Sequence, residues 1–438
     1  MLRISSIMMM SAMAMVYVLR ELTILTLPEH MCGHPVIFKG NFLREDVARS
    51  LRDLSKEMRT FPTNVNDLKF YKTKHEHIGE AIEMVNGTCD HPFLVPSVEG
   101  TQCVLPGRID IGKHWILSGG VNGIKESYKS MISRVQSFGR YNFDFSQYDV
   151  VQELFRDPKF VKMAQEVCPK NKQYLDAFQF NFIIQVPGQT VAAHIDGAYF
   201  WGATRFQFPQ WLLAAMVYSG MWKDEFVDQV QIVAYYHDWS EKAEYNNEVG
   251  GRFYYWNQSD GKSFSIPPTP LAGSAVDGSK TVHAASVYEP KVRAPYLNKD
   301  HKNILEFVED ETWLLRTSIG TPQERNYTYK TSDLRMSVVY RARCFENQDR
   351  AELFQGQGGP DLLNLDNILK TFAKDLTKRG KLSHEDDIND MPRLDLAMLI
   401  MKTYIQYPFS RISWFPFNFC ALDRLVPASS PILSLIYK

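Results

Sequence analysis

The sequence predicts an α+β protein: a mostly β core with helices before it and after it. Three observations carry this. Between residues 178 and 345, short apolar or alternating runs recur, punctuated by Gly, Pro, Asn and Asp, the pattern of a β sandwich or barrel. On either side of that stretch, apolar residues recur at helical spacing instead. The chain has 438 residues, more than one compact domain ordinarily needs, so a central core with large additions is expected. Four segments are expected: 1–28, a hydrophobic N-terminal segment; 29–174, a mixed helical region bracing the core; 175–345, the core, with an insertion at 290–330; and 346–438, a helical extension.

Taken in order, Arg3 precedes a run at 4–19 rich in Met, Ala and Val, with no acidic residue before Glu21. It reads as a leader, a short anchor or a buried first helix, and membrane association is expected only if it anchors. Val47, Leu51, Leu54 and Met58 make one stripe of a helix over 44–58, ended by Phe61-Pro62. A second helix is predicted over 123–138 and a third over 150–167, interrupted at Asp157-Pro158. Strands are predicted at 178–186, 192–196, 212–218, 230–236, 250–256, 271–278, 281–287 and 334–345, with a hairpin at 310–317 and 326–330. After the Gly-rich stretch 355–360, Leu365, Ile368, Leu369, Phe372 and Leu376 form a helical stripe, and 394–405 reads as a more apolar helix.

Composition narrows the function classes. Net charge is -1, so no basic excess argues for nucleic acid, and no acidic run suggests a disordered tail. Six cysteines stand far apart with no CxxC pair, so neither a cysteine zinc site nor a disulfide framework is expected, although an isolated disulfide stays open. Asn86-Gly87-Thr88, Asn257-Gln258-Ser259 and Asn326-Tyr327-Thr328 fit the N-glycosylation pattern, but such triplets arise often by chance and leave the compartment open.

The chemistry concentrates in residues 179–198, QFNFIIQVPGQTVAAHIDGA. His194 and Asp196 are two residues apart, so on a strand they project from one face. Two histidines and one carboxylate make the facial triad of non-haem Fe(II), and His283 in GSKTVHAASVYEP is the candidate third ligand. Downstream stand Gly250-Gly251-Arg252-Phe253, a Gly-Ser-Ala-Val strand before His283, and Arg335-Met336-Ser337.

In that order these motifs resemble the Fe(II)/2-oxoglutarate-dependent dioxygenases, over less than half of the chain. The resemblance implies a double-stranded β-helix (jelly roll) core, with Fe(II), 2-oxoglutarate and O2 as cofactors and ascorbate as a possible reductant. His194, Asp196 and His283 would hold iron. Arg335 and Ser337, on one strand face, would bind the far carboxylate of 2-oxoglutarate, and Asn181 on the first core strand is a further cosubstrate candidate. The family's arginine often lies about ten residues after the distal histidine, where this chain has Arg293. Arg293 precedes Ala294-Pro295, a poor strand, so Arg335 is preferred and 290–330 reads as an insertion. Arg341 and Arg343 share the parity of Arg335 and are expected to run beyond the site. Because Asp196 is present, oxidation is implied rather than halogenation.

Rival readings are open at several points. His75-Glu76-His77 is a second metal pair, though Lys72 and Lys74 beside it suggest an exposed polar face. His237 and Asp238 are adjacent, so their side chains diverge and a structural role is favoured. The aromatic stretch 199–211 follows the HxD pair at once, so Tyr199 and Trp201 are candidate substrate contacts, and Arg205 a candidate for an acidic substrate group. The expected activity is oxidation of an unactivated C–H bond in a small molecule. Peptidyl (prolyl-type) hydroxylation and a cupin-like metal-binding protein without turnover are the alternatives.

Overall fold

The computed structural model describes residues 2–22, 26–63, 82–84, 86–87, 95–96, 101–104, 133–205, 207–239, 249–298, 301–356, 358 and 362–406. Mostly antiparallel sheets with several helices make an α+β protein. The major sheet has six strands in the order Val36–Lys39, Gly273–Val276, Gln229–Tyr235, Arg335–Phe345, Tyr174–Gln185, Phe138–Asn142. A minor sheet of four runs Ser263–Ile266, Phe253–Trp256, Val282–Ala285, Val191–His194. A third sheet pairs Arg325–Lys330, Thr312–Thr317, Ile304–Phe307 and Thr60–Pro62, so most of 290–330 builds a layer with a strand from far upstream.

The two-residue period of a strand sorts the major sheet into two chemistries. Even-numbered Phe180, Phe182, Ile184, Ile232, Met336, Val338 and Tyr340 face a buried layer closed by helices Glu45–Met58, Asp149–Arg156 and Pro158–Gln165. Odd-numbered Asn181, Ile183, Gln231, Val233, Ser337, Val339 and Arg341 face the minor sheet across a pocket. The central strands hold register from Arg335↔Gln185 to Phe345↔Tyr174, with one shift between Arg341 and Ala342.

Helix boundaries follow local chemistry. Asp157 caps Pro158–Gln165 by accepting from Lys159 N (2.7 Å), and Pro158 at the first helical turn forces the expected break after Arg156. Helix Leu2–Leu22 covers the N-terminal run, and among the described residues no helix is long and apolar enough to cross a membrane.

Three expectations are corrected. Residues 212–218 are not a strand but lie within helix Gln210–Ser219, which buries every residue from Trp211 to Tyr218. A run that is apolar all round has no period, so strand and buried helix cannot be separated by pattern. Gly220 at φ +66 ends it in the left-handed conformation, helix Arg393–Tyr404 packs on it, and helix Leu365–Lys378 shares its hydrophobic cluster. Phe138 begins a strand rather than ending a helix, and residues 123–132 lie outside the described residues. Several cysteines are also bonded, although Cys32 is free. Cys168 and Cys344 form a disulfide across 176 residues of sequence, and Cys103 is disulfide-bonded too. A loop this long loses on the order of 4–5 kcal/mol of unfolded-state entropy when closed.

Candidate metal centre

His194 ends the edge strand of the minor sheet, and its neighbour Val282–Ala285 places His283 directly opposite, His283↔His194. The imidazole centroids are 4.3 Å apart. Asp196, just past the strand end, reaches both: Oδ1 is 3.8 Å from His194 Nε2, and Oδ2 is 3.9 Å from His283 Nε2. One ligand atom from each of the three lies within 4.8 Å of the others.

The tautomers follow from the partners. His194 Nδ1 lies 2.7 Å from Ala192 O and His283 Nδ1 2.9 Å from Thr281 O. A carbonyl oxygen only accepts, so each Nδ1 carries the hydrogen and each Nε2 presents its lone pair to the space shared with Asp196. Imidazole nitrogens oriented through their second nitrogen, with one carboxylate, are a donor set for a divalent first-row metal.

Two supports set Asp196. Its N–H donates to Gly278 O (2.7 Å), and Arg341 Nη2 donates to Oδ1 (3.0 Å). A Cβ on Gly278 would stand 2.3 Å from Asp196 Oδ2 and 3.2 Å from His283 Cε1. Both atoms belong to triad side chains, so any side chain at this position would displace a ligand. The turn carrying Gly278 is held by Asp277, which accepts from Ser279 N (3.0 Å) and Gln229 N (3.1 Å). Burial raises the Asp277 carboxyl pKa. Gly278→Ala should therefore weaken Co(II) or Fe(II) binding at least 10–100-fold, the scale of lost outer support, with little change in helix and strand content. Metal titration by calorimetry checks this, and unaltered affinity would remove the steric assignment.

The other end of the pocket is built around Arg335. It is 5% exposed, yet its guanidinium meets neutral groups: it donates to Gln185 Oε1 and to Tyr235 OH (3.1 Å) and lies over the Tyr235 ring. Among the described residues, its buried Nε and the neighbouring Gln185 Nε2 have no hydrogen-bond partner. Gly251, at φ +64, lets the backbone pass this side chain; a Cβ there would be 3.1 Å from Arg335 Cδ. Ser337 and Asn181 line the same pocket. In the amide orientation that satisfies both its neighbours, Asn181 accepts from Arg341 Nη1 (2.7 Å) and donates to Phe180 O (2.8 Å).

The remaining candidates are elsewhere. Arg293 is exposed on a loop outside the pocket lining. Tyr199 is fully buried and packs on Phe178 and Phe354, and Trp201 packs on Phe345 and Phe354, so both rings pack toward helix Gln348–Gln355 rather than lining the pocket. Burial raises the Tyr199 hydroxyl pKa. Arg205 donates to Gln179 Oε1 (3.2 Å) beside Gly197, next to the triad but not in the lining. His237 is buried against Trp239, its ring tilted 31° to the indole, with both ring nitrogens on backbone carbonyls. The His75–His77 pair lies outside the described residues.

Arg341, expected to run beyond the site, instead holds Asp196 and lines the pocket. Its parity put it on the right face, but only register brings it to the metal site: it pairs laterally with Gln179 and Gln231, and its Nε donates to Gln231 Oε1 (3.0 Å). Arg343, one step further, does run past the pocket, into an ion pair with Asp176 (2.6 Å) among Phe178, Tyr199 and Phe354.

No protein-family model matches the chain, and no curated protein matches it in sequence. Among solved structures it is similar to a Pseudomonas putida prolyl-4-hydroxylase, at 10% identity, over 71% of this chain and 92% of that one, with a TM-score of 0.31. It is also similar to SnoN, a non-haem α-ketoglutarate-dependent epimerase from nogalamycin biosynthesis, at 8% identity over 81% and 93% of the two chains, with a TM-score of 0.30. A 2OG-Fe(II) oxygenase-family oxidoreductase from Burkholderia pseudomallei matches at 9% identity over 49% and 68%, with a TM-score of 0.24. Similarity this distant carries no weight by itself, and the assignment stands on the geometry: His194, Asp196 and His283 form a two-histidine, one-carboxylate metal-binding triad.

Proposed function

We propose that the chain is a non-haem Fe(II)- and 2-oxoglutarate-dependent oxygenase that oxidises an unactivated C–H bond of a small molecule. The observation that carries this is a single pocket with a metal triad at one end and, at the other, a buried arginine whose partners among the described residues are neutral. Burying a cation without a counter-ion is costly. An anion that enters the pocket would relieve that cost, and the far carboxylate of 2-oxoglutarate fits the role. Two facing antiparallel sheets support a double-stranded β-helix core at 175–345. Residues 29–174 then brace it and extend its major sheet, 290–330 form an insertion, and 346–438 form a helical extension.

Fe(II) held by His194, Asp196 and His283, with 2-oxoglutarate at Arg335, would supply oxidative O2 chemistry that yields succinate and CO2, with ascorbate as reductant. The chain's own residues do the rest. His194 and His283 present Nε2, Asp196 lowers the net charge of the site, and Arg341 fixes the plane of that carboxylate. Arg335 and Ser337 orient the cosubstrate, with Asn181 and Arg341 on the neighbouring wall. Phe253, Ile183, Val191 and Val339 supply apolar lining that favours a carbon-rich substrate and excludes water.

The test is to incubate the full chain with Fe(II), 2-oxoglutarate, O2 and ascorbate, alone and with a metabolite pool or proline-containing peptides. Succinate release matched by a new product mass from the pool is expected. Product from the peptides alone would support peptidyl hydroxylation, and metal binding without succinate under either condition would support a non-catalytic metal protein. Either outcome overturns the small-molecule reading.

A further inference from the structure

We propose that this chain matures in an oxidising, glycosylating compartment and carries an N-linked glycan on Asn326. Two independent observations meet here, and neither rests on the proposed reaction.

The first is the disulfide between Cys168, which follows helix Pro158–Gln165, and Cys344, near the end of strand Arg335–Phe345. Both cysteines are buried, at 6% and 1% exposure, in the layer behind the pocket. Such bonds form and persist where thiols are not held reduced. Forming this one takes two electrons and two protons from the thiols, and a disulfide-carrying oxidant of the compartment accepts them and leaves as a dithiol. Cys103 is bonded as well, so the bridge is not isolated.

The second is how differently the fold treats two acceptor triplets. In Asn326-Tyr327-Thr328, on the edge strand Arg325–Lys330 of the third sheet, Asn326 and Thr328 are exposed while Tyr327 and Tyr329 turn inward to pack. The strand period therefore puts the acceptor amide and the hydroxyl two residues on, both elements of the acceptor pattern, on one solvent face. No residue of this sheet lines the pocket, so a glycan there leaves the site open. In Asn257-Gln258-Ser259 the amide is engaged at both ends. Asn257 Nδ2 donates to His34 O (2.8 Å), and Oδ1 accepts from His34 N (2.9 Å). A sugar on that nitrogen would separate the segment around His34 from the minor sheet.

The transfer is a displacement. Asn326 Nδ2 bonds to the anomeric carbon of a lipid-diphosphate-linked oligosaccharide and loses one proton, and the lipid diphosphate leaves with the bonding pair. The apolar run 4–19 is the segment that entry to such a compartment would use; its side chains from Met10 to Val18 are exposed on helix Leu2–Leu22.

The experiment is to produce the full chain in cultured eukaryotic cells and compare its gel mobility before and after peptide-N-glycanase, for wild type, N326Q and N257Q. Unreduced tryptic peptides are mapped in parallel. Expected are a mobility shift in wild type, one glycan fewer in N326Q, no change in N257Q, conversion of Asn326 to Asp by the glycanase, and a peptide linked through Cys168 and Cys344. An unshifted wild type, an N326Q chain with its full glycan complement, or a freely alkylated Cys168 and Cys344 would overturn the proposal.

Discussion

Asp196→Ala is expected to abolish Fe(II)-dependent turnover and to leave at most weak metal binding. The carboxylate is one of the three ligand groups found among the described residues, so its loss should cost more than the 10–100-fold typical of an outer-shell partner. The same change strands Arg341 Nη2, which now donates to Oδ1 at 3.0 Å. Breaking a buried pair by removing one partner costs roughly 3–5 kcal/mol of stability. The Asp196–Arg341 pair is somewhat exposed, at 12% and 17%, which argues for the low end. Asp196→Asn separates the two effects, because its amide oxygen keeps an acceptor for Arg341 while the negative charge is gone. That variant should melt close to wild type and still fail in Fe(II) titration and turnover. Full activity in both variants would sink the metal assignment.

Arg335→Ala should raise the 2-oxoglutarate requirement by hundreds-fold or more, while Arg293→Ala leaves it unchanged. A charge-assisted pair buried at one end of the pocket is worth roughly 3–5 kcal/mol on truncation of one partner, and about 1.4 kcal/mol is tenfold in affinity. Arg293 is exposed on its loop and is not among the residues lining the pocket. Ser337→Ala should cost about 1 kcal/mol, several-fold, for one hydroxyl hydrogen bond. The three variants are compared in one cosubstrate titration with iron saturating. A large loss in Arg293→Ala with none in Arg335→Ala would move the cosubstrate site to another element and leave the triad standing.

Some of this was readable without coordinates because it depends on short sequence distances. His194 and Asp196 are two apart, and strand geometry alone puts their side chains together. The stripe Val47–Leu51–Met58 needs only the helical period to predict a buried face, and Asp157-Pro158 needs only cap chemistry to predict the break between two helices. The alternation along 178–186 and 334–345 likewise separates a buried apolar face from a face carrying Asn181, Arg335 and Ser337, whatever lies across from it.

What tertiary structure decided was whatever depends on register, or on partners far away in sequence. Arg341 and Arg343 have the same parity, and only the pairing of Arg341 with Gln231 and Gln179 separates the one that holds Asp196 from the one that pairs with Asp176. Gly278 reads as a turn glycine in sequence; its lack of a Cβ matters because a side chain 82 positions earlier in the chain fills that space (278 minus 196). Residues 212–218 have a composition that suits a strand or a buried helix equally, and the helix Arg393–Tyr404 packing on them goes with the helical outcome. Cys168 and Cys344 carry no spacing signal, because a disulfide is set by the approach of two Cα atoms, here 5.8 Å, and that approach exists only once helix Pro158–Gln165 has docked behind the major sheet.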